Sequence, residues 1–77
     1  MGYLPKKSLT PKQQQILQHF ADGDGIKQVA RKMDIEVSSV HWHSNETYRK
    51  LGANHRAHAV VIALKEGLIQ YGEEVEP

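Results

Sequence analysis

The sequence contains no cysteine, and aromatic residues make up only 6% of it. Without cysteine the chain forms no disulfides, thiolate zinc sites or cysteine nucleophiles, a composition that suits a cytoplasmic protein. No apolar run approaches the roughly 20 residues of a membrane-spanning helix, and the amino terminus lacks the apolar core of a signal peptide. We therefore expect a cytoplasmic protein that has no membrane partner.

The sequence motifs of common enzymes are also missing. The chain has no glycine-rich phosphate loop and no nucleophile with a base at a workable spacing, and its 77 residues leave little room for a substrate pocket. Among its five histidines, His41 and His43 would diverge on a helix, whereas His55 and His58 lack an acidic or thiol companion. We expect no catalytic activity, no metal and no cofactor.

The charge distribution is more basic than the net charge of +1 indicates. The chain has ten basic and nine acidic residues, but Glu73, Glu74 and Glu76 all lie within its last five positions. Residues 1–72 therefore hold ten basic and six acidic side chains, a balance of +4. This balance is compatible with a phosphate-binding surface, although many soluble domains are equally basic.

The apolar pattern predicts a single all-α domain of four helices, because no segment alternates with period two for long enough to form a strand. Residues 1–8 contain glycine, proline and two lysines without periodicity, which predicts a flexible arm. The helical domain is expected to span residues 9–69, and residues 70–77 are expected to form an acidic tail.

The first two helices have clear start signals and apolar faces. Thr10 is a good N-cap, and Pro11 then occupies the first helical position, where its missing N–H costs nothing. The apolar side of the first helix carries Ile16, Leu17 and Phe20. The other side carries Gln13, Gln14, Gln15 and Gln18. The second helix repeats apolar residues at i, i+3, i+4 and i+7, namely Ile26, Val29, Ala30 and Met33.

A third helix is predicted from Val37 to Leu51, with Gly52 ending it. Its expected buried residues are Val37, Val40, Tyr48 and Leu51, and Ser44 and Thr47 share their arc. Asn54 is the expected N-cap of a fourth helix. The residues expected in the core from that helix are Ala57, Val60, Val61, Leu64 and Leu68. On its opposite side a mostly small, apolar stripe consists of Ala59, Ile62, Ala63 and Glu66.

The second and third helices are joined by a short turn at residues 34–36, which predicts a helix-turn-helix whose second helix enters a DNA major groove. The candidate base readers on its outer side are His41, Trp42 and Asn45. Asn45 suits two hydrogen bonds to adenine, His41 a single bond to guanine, and Trp42 packing against a thymine methyl or a sugar. Each also has a simpler interpretation, since an exposed tryptophan is often a protein contact and an exposed asparagine is often merely solvated.

Candidate contacts to the DNA backbone come from cations and from hydroxyls near the start of the third helix. The expected set consists of Lys27, Ser38, Ser39, Arg49 and Lys50. Arg31, Lys32 and Arg56 are further cationic candidates. For any single lysine, the alternative is a solvated charge without a partner.

Several blocks of the sequence resemble the LuxR/GerE-type helix-turn-helix family over 50 to 60 residues without a gap. The blocks are Leu9-Thr10-Pro11, Ala21-Asp22-Gly23, Lys27-Gln28-Val29-Ala30, Ser39-Val40-His41-Trp42-His43 and Tyr48-Arg49-Lys50-Leu51-Gly52, followed by Arg56 and Ala59-Val60. The resemblance implies a bacterial, nucleoid-associated transcription regulator that binds inverted repeats of double-stranded DNA as a dimer. It also implies base reading at His41, Trp42 and Asn45 and backbone contacts at Lys27, Ser39 and Lys50. The homodimer contact that it implies lies on the fourth helix, through the stripe of Ala59, Ile62, Ala63 and Glu66. Another transcription regulator or RNA polymerase is a further expected partner.

The sequence departs from the family pattern at several positions. Gln13, Gln15 and Gln28 stand where acidic residues are usual, and Ser44 and Thr47 where apolar ones are usual. His41 replaces a lysine or arginine, and Glu36 replaces a serine before the recognition helix. These changes leave a second hypothesis open, a protein–protein adaptor that kept the fold and lost DNA binding. The chain also fits a C-terminal domain taken from a longer protein.

Overall fold

The computed structural model describes residues 9–70, and these residues form four α-helices without a strand. The helices are α1 (Pro11–Ala21), α2 (Ile26–Met33), α3 (Val37–Leu51) and α4 (Arg56–Lys65). The prediction of a four-helix, all-α fold is confirmed. The predicted arm at residues 1–8 and positions 71–77 of the predicted tail lie outside the described residues. None of the described helices is long and apolar enough to cross a membrane.

Helix α1 begins with the predicted cap. The Thr10 hydroxyl accepts a hydrogen bond from the Gln13 backbone N–H at 3.1 Å, and the Gln13 side-chain oxygen accepts one from the Thr10 N–H at 3.0 Å. This reciprocal pair satisfies two donors at the helix start. The prediction that Gln13 lies on the outer side is wrong, because this capping role turns its side chain inward and leaves it only 5% exposed.

The core lies where α3 crosses the other three helices. Ile16, Leu17, Val29 and Val40 are at most 1% exposed, and the apolar faces predicted for α1 and α2 supply much of this core. The expectation that Val37 is buried is wrong, since the first residue of α3 extends beyond the core and is 39% exposed.

Two polar residues complete the buried face of α3. Ser44 and Thr47 are 3% and 1% exposed, as their position on the predicted arc requires. The Ser44 hydroxyl donates to the Val40 carbonyl at 2.7 Å, and the Thr47 hydroxyl donates to the His43 carbonyl at 2.8 Å. Each hydroxyl therefore bonds within its own helix, four residues back, and contributes no link between helices.

The turn between α2 and α3 depends on one residue in a left-handed conformation. Asp34 has φ 58° and ψ 48°, and the Ile35 N–H that follows donates to the Ala30 carbonyl at 3.0 Å. Helix α3 then starts after Glu36, whose side chain makes no capping hydrogen bond. Gly52 ends α3 as predicted, with a φ of 72° that glycine adopts without steric cost.

Helix α4 starts one residue later than predicted. Its N-cap is His55, not Asn54. The His55 ring nitrogen Nδ1 accepts a hydrogen bond from the His58 N–H at 3.3 Å, and Nδ1 of His58 accepts one from the Asn54 N–H at 3.2 Å. Two imidazoles thus perform the capping that a short polar residue was expected to perform.

The prediction of the buried side of α4 is wrong in part. Ala59 and Ala63, expected in the outward stripe, are 0% exposed, whereas Val61, expected in the core, is 51% exposed. Ala57, also expected in the core, is exposed, whereas the predicted core residues Val60, Leu64 and Leu68 are half-buried against the core. The small Ala59 and Ala63 thus form the most deeply buried part of the contact. Of the rest of the predicted stripe, Ile62 is half-buried against the core and Glu66 is exposed at the C-cap.

Two glutamines of α1 bind the backbone of the residues that follow α4. The Gln18 side chain of α1 donates to the Gln70 carbonyl at 2.6 Å and accepts from the Gln70 N–H at 3.1 Å. Gln14 donates to the Leu68 carbonyl at 3.0 Å. These glutamines, predicted to lie on the outer side of α1, therefore hold Leu68 and Gln70 against that helix.

Candidate nucleic-acid interface

The outer face of α3 brings the three candidate base readers together. His41, Trp42 and Asn45 are all exposed, with Trp42 at 61%. At about 100° per residue they lie within an arc of about 100°, opposite the buried face of Val40 and Thr47. Three chemically different side chains therefore lie on one convex surface. A single partner, whether flat or grooved, can contact all three at once.

An edge-to-face ring contact restrains the tryptophan. The centroids of the Trp42 and His43 rings are 5.2 Å apart, with an angle of 80° between the planes. Aromatic pairs favour this geometry, because the positive edge of one ring meets the negative face of the other. His43 is itself half-buried, so it acts as a flank residue that supports Trp42.

The last turn of α3 contains an ion pair on the exposed side. The Arg49 guanidinium donates to both carboxylate oxygens of Glu46, at 3.2 and 2.9 Å. Arg49, predicted to contact phosphate, is therefore engaged within its own helix. An exposed i,i+3 pair contributes only about 0.3–0.5 kcal/mol, so a phosphate is able to compete for this arginine.

Lys50 is positioned by α1. Its ammonium donates to the side-chain oxygen of Gln13 at 2.8 Å, a contact between residues 37 positions apart. The neutral Gln13 amide thus orients the ammonium. Gln13 is a positioning residue that the sequence analysis missed, although its place three residues after the Thr10 cap was a usable signal.

The cations of α2 fall into two groups. Lys32 donates to Asp24 at 2.8 Å, and the same carboxylate oxygen lies 3.2 Å from Nδ1 of His19. The Lys32 hydrogen bond is the main cause that lowers the pKa of Asp24. Lys27 and Arg31 are exposed, and neither pairs with an acidic residue of the described part of the chain. Their charges remain available to an external anion.

The start of α3 offers hydroxyls and backbone N–H groups beside these cations. Ser38 is exposed and Ser39 is half-buried. No side chain caps this helix end, because Glu36 makes no hydrogen bond there. The early amides of an uncapped helix are available to an anion, and the partial positive charge of the helix end favours one.

Arg56, one of the further cationic candidates for phosphate contact, also contacts the helix scaffold. Its guanidinium carbon lies 5.0 Å from the centroid of the Phe20 ring, a cation–π contact between α4 and α1. Burial raises the pKa of the nearby Tyr48 hydroxyl, and the positive charge of Arg56 partly opposes that rise. Arg56 therefore stabilises helix packing.

The sequence of this chain is similar to those of known bacterial regulatory proteins. Residues 7–63 match the GerE domain of bacterial regulatory proteins of the luxR family. The chain is 33% identical over 67 residues to the oxygen regulatory protein NreC of Staphylococcus aureus strain JH9. That alignment covers 87% of this chain and 31% of NreC, so the chain spans about a third of the length of the curated relatives it matches.

Solved structures share the same helical arrangement. The transcription factor GerE superposes with a TM-score of 0.77 and 26% identity, over 80% of this chain and 92% of GerE. VqmA of Vibrio cholerae superposes with a TM-score of 0.76. It is described as a dimer in the absence of its target DNA and as a LuxR-type receptor. Its identity is 23%, over 80% of this chain and 29% of VqmA, so this likeness shows the fold alone.

Proposed function

This chain belongs to the luxR family of bacterial regulatory proteins, and we propose on that basis that it is a sequence-specific, DNA-binding transcription regulator. The observation that carries the proposal is the outer face of α3. There His41, Trp42 and Asn45 are exposed together on the second helix of a helix-turn-helix. This is the helix that enters the major groove in proteins built on that motif.

With α3 bound in the major groove, the protein makes two kinds of contact with DNA. In the groove, His41, Trp42 and Asn45 meet base edges, and a good bidentate contact discriminates between bases by about 1–3 kcal/mol. At the groove edges, phosphates are bound by hydroxyls, backbone amides and cations, which fix the register without reading sequence. The residues proposed for the phosphate contacts are Lys27, Ser38, Ser39, Arg49 and Lys50.

The proposed dimer contact lies on the outward face of α4. Val61 is 51% exposed and Ala57 is exposed, with the half-buried Val60 and Leu64 beside them. An apolar helix face of this kind pairs with its own copy about a two-fold axis. Two copies related in this way read an inverted repeat, because the symmetry of the protein matches that of the site. VqmA, which shares this fold, is described as a dimer.

The first test is selection of binding sites by the purified protein from a randomised duplex library at near-physiological salt. We expect an enriched inverted repeat. His41→Ala and Asn45→Ala should change the preferred sequence, because they alter base-edge contacts. A folded protein that enriches no sequence would contradict the proposal.

The salt dependence of binding tests the phosphate contacts separately. Lys27→Ala should weaken binding to every sequence alike and reduce the slope of log affinity against log salt by about 0.9, the value expected for one lost phosphate contact. Lys65→Ala is the matched control, since it removes an exposed lysine at the end of α4, away from the proposed DNA contacts, and should leave the slope unchanged. Equal slopes for wild type and Lys27→Ala would remove Lys27 from the interface.

A second candidate function is a protein–protein adaptor. The observation in its favour is Trp42, a large aromatic side chain left 61% exposed beside the Glu46–Arg49 ion pair. An adaptor would not be retained on heparin or generic DNA at low salt, and its partner, such as another transcription regulator or RNA polymerase, would stay bound as salt rises. DNA retention that disappears with increasing salt favours the regulator.

A further inference from the structure

The outer face of α3 lacks the side chains that read guanine most effectively. No lysine or arginine occurs between Val37 and Tyr48. The two cations of the last turn, Arg49 and Lys50, hydrogen-bond Glu46 and Gln13, and both are assigned above to phosphates. Bidentate contacts from arginine or lysine are the commonest specific contacts to guanine, so this face is poorly equipped for G·C pairs in the major groove.

One large apolar side chain protrudes from this face. Trp42 is 61% exposed, the most exposed large hydrophobic residue among residues 9–70. Trp42 lies opposite the buried face, and the His43 ring contact restrains it. In the major groove the apolar group that distinguishes one base edge from another is the C5-methyl of thymine. A restrained, protruding indole is suited to cover that methyl.

Asn45 lies three residues after Trp42 and is exposed on the same side. Its amide carries a donor and an acceptor, which match N7 and the N6 amino group of adenine. The face therefore combines one group suited to thymine with one group suited to adenine, and both requirements are met by neighbouring A·T pairs.

Resting on the proposed function, we propose that this protein reads an A·T-containing half-site in which Trp42 covers a thymine methyl and Asn45 binds adenine. The discrimination is apolar at one position and amide-mediated at the other. This mode of recognition differs from the binding of guanine by lysine or arginine. It makes the affinity for DNA depend on one uncharged methyl group.

Replacing thymine by deoxyuridine removes this methyl and leaves every hydrogen-bonding group of the base pair in place. The experiment measures the affinity of the full chain for its selected duplex, with each half-site thymine replaced in turn. At one position we expect wild type to lose about fourfold in affinity, the effect of one buried methyl. The salt slope should not change, because no phosphate contact is lost. The Trp42→Ala variant should bind the thymine and deoxyuridine duplexes equally.

Lys27→Ala is the matched control, since it should weaken both duplexes and keep the fourfold ratio. Trp42 is largely exposed, so Trp42→Ala should fold, and its helical circular dichroism checks this. A second arm replaces adenine by 7-deazaadenine, which should weaken wild type and leave Asn45→Ala unaffected. If wild type binds its selected site but is indifferent to every deoxyuridine, or if Trp42→Ala keeps the fourfold ratio, the methyl contact is refuted. If no duplex is selected at all, the proposed function itself fails.

Discussion

At the buried position 47, hydrogen bonding favours a hydroxyl, whereas apolar packing favours a methyl group. Thr47 is 1% exposed, and its hydroxyl donates to the His43 carbonyl at 2.8 Å. That carbonyl is also the acceptor for the helical N–H four residues on, so it keeps a partner if the hydroxyl is removed. We predict that Thr47→Val leaves the domain as stable as wild type or slightly more stable.

The magnitude follows from two terms. A neutral intramolecular hydrogen bond contributes about 0.5–1.5 kcal/mol net, and one made back to the same helix belongs at the low end of that range. Burying a methyl in place of the hydroxyl contributes about 0.8 kcal/mol. The balance is a stabilisation of a few tenths of a kcal/mol, and valine keeps the branched shape that fills the site.

The matched variant is Thr47→Ser, which keeps the hydroxyl and removes the methyl. It should lose about 1 kcal/mol, which lowers the Tm of a domain of this size by about 4–8 °C. Thermal unfolding followed by circular dichroism at neutral pH ranks the three proteins. A Tm for Thr47→Val below that of Thr47→Ser would refute the reasoning, because it would mean that the hydroxyl matters more than the buried methyl.

Three further predictions concern the N-cap of α4, the stability of the domain at acid pH and the dimer contact. His55→Ala removes the acceptor that caps α4 and should cost about 1 kcal/mol by chemical denaturation, whereas His55→Asn should retain the stability; equal losses in both would exclude the capping role. Because the pKa of Asp24 is lowered on folding, its contribution is present above about pH 4 and is lost as pH falls through the lowered value. Asp24→Asn should therefore flatten the decline of Tm with acidification, and an unchanged profile would argue against this. Val61→Asp places a charge on the outward face of α4, so it should abolish dimeric DNA complexes in gel-shift assays while leaving the Tm nearly unchanged; intact dimers would move the contact elsewhere.

Local features of the fold follow from residues that lie close together in the sequence. Thr10 and Pro11 start α1, the apolar repeat from Ile26 to Met33 defines α2, and Gly52 ends α3. These features depend on residues within one or two helical turns, so spacing along the chain reveals them. The grouping of Trp42 with its neighbours on one outer face follows from the same helical period.

Packing between helices selects the residues of α4 that are most deeply buried. Nearly every residue from Ala57 to Leu64 is apolar, so the helical period defines no unique core face. The close approach of α4 to α1 and α3 selects the small Ala59 and Ala63 for the contact and leaves Val61 in solvent. Steric fit between helices makes this choice, and hydrophobicity alone does not predict it.

Polar contacts between distant parts of the chain were likewise decided by the tertiary structure. Gln13 reaches Lys50 across 37 positions, and Gln18 binds the backbone of Gln70 across 52. In the sequence these glutamines look like a solvated face, because nothing nearby identifies their partners. Folding brings the partners within hydrogen-bonding distance, and a buried or partly buried polar group then adopts the conformation that satisfies it.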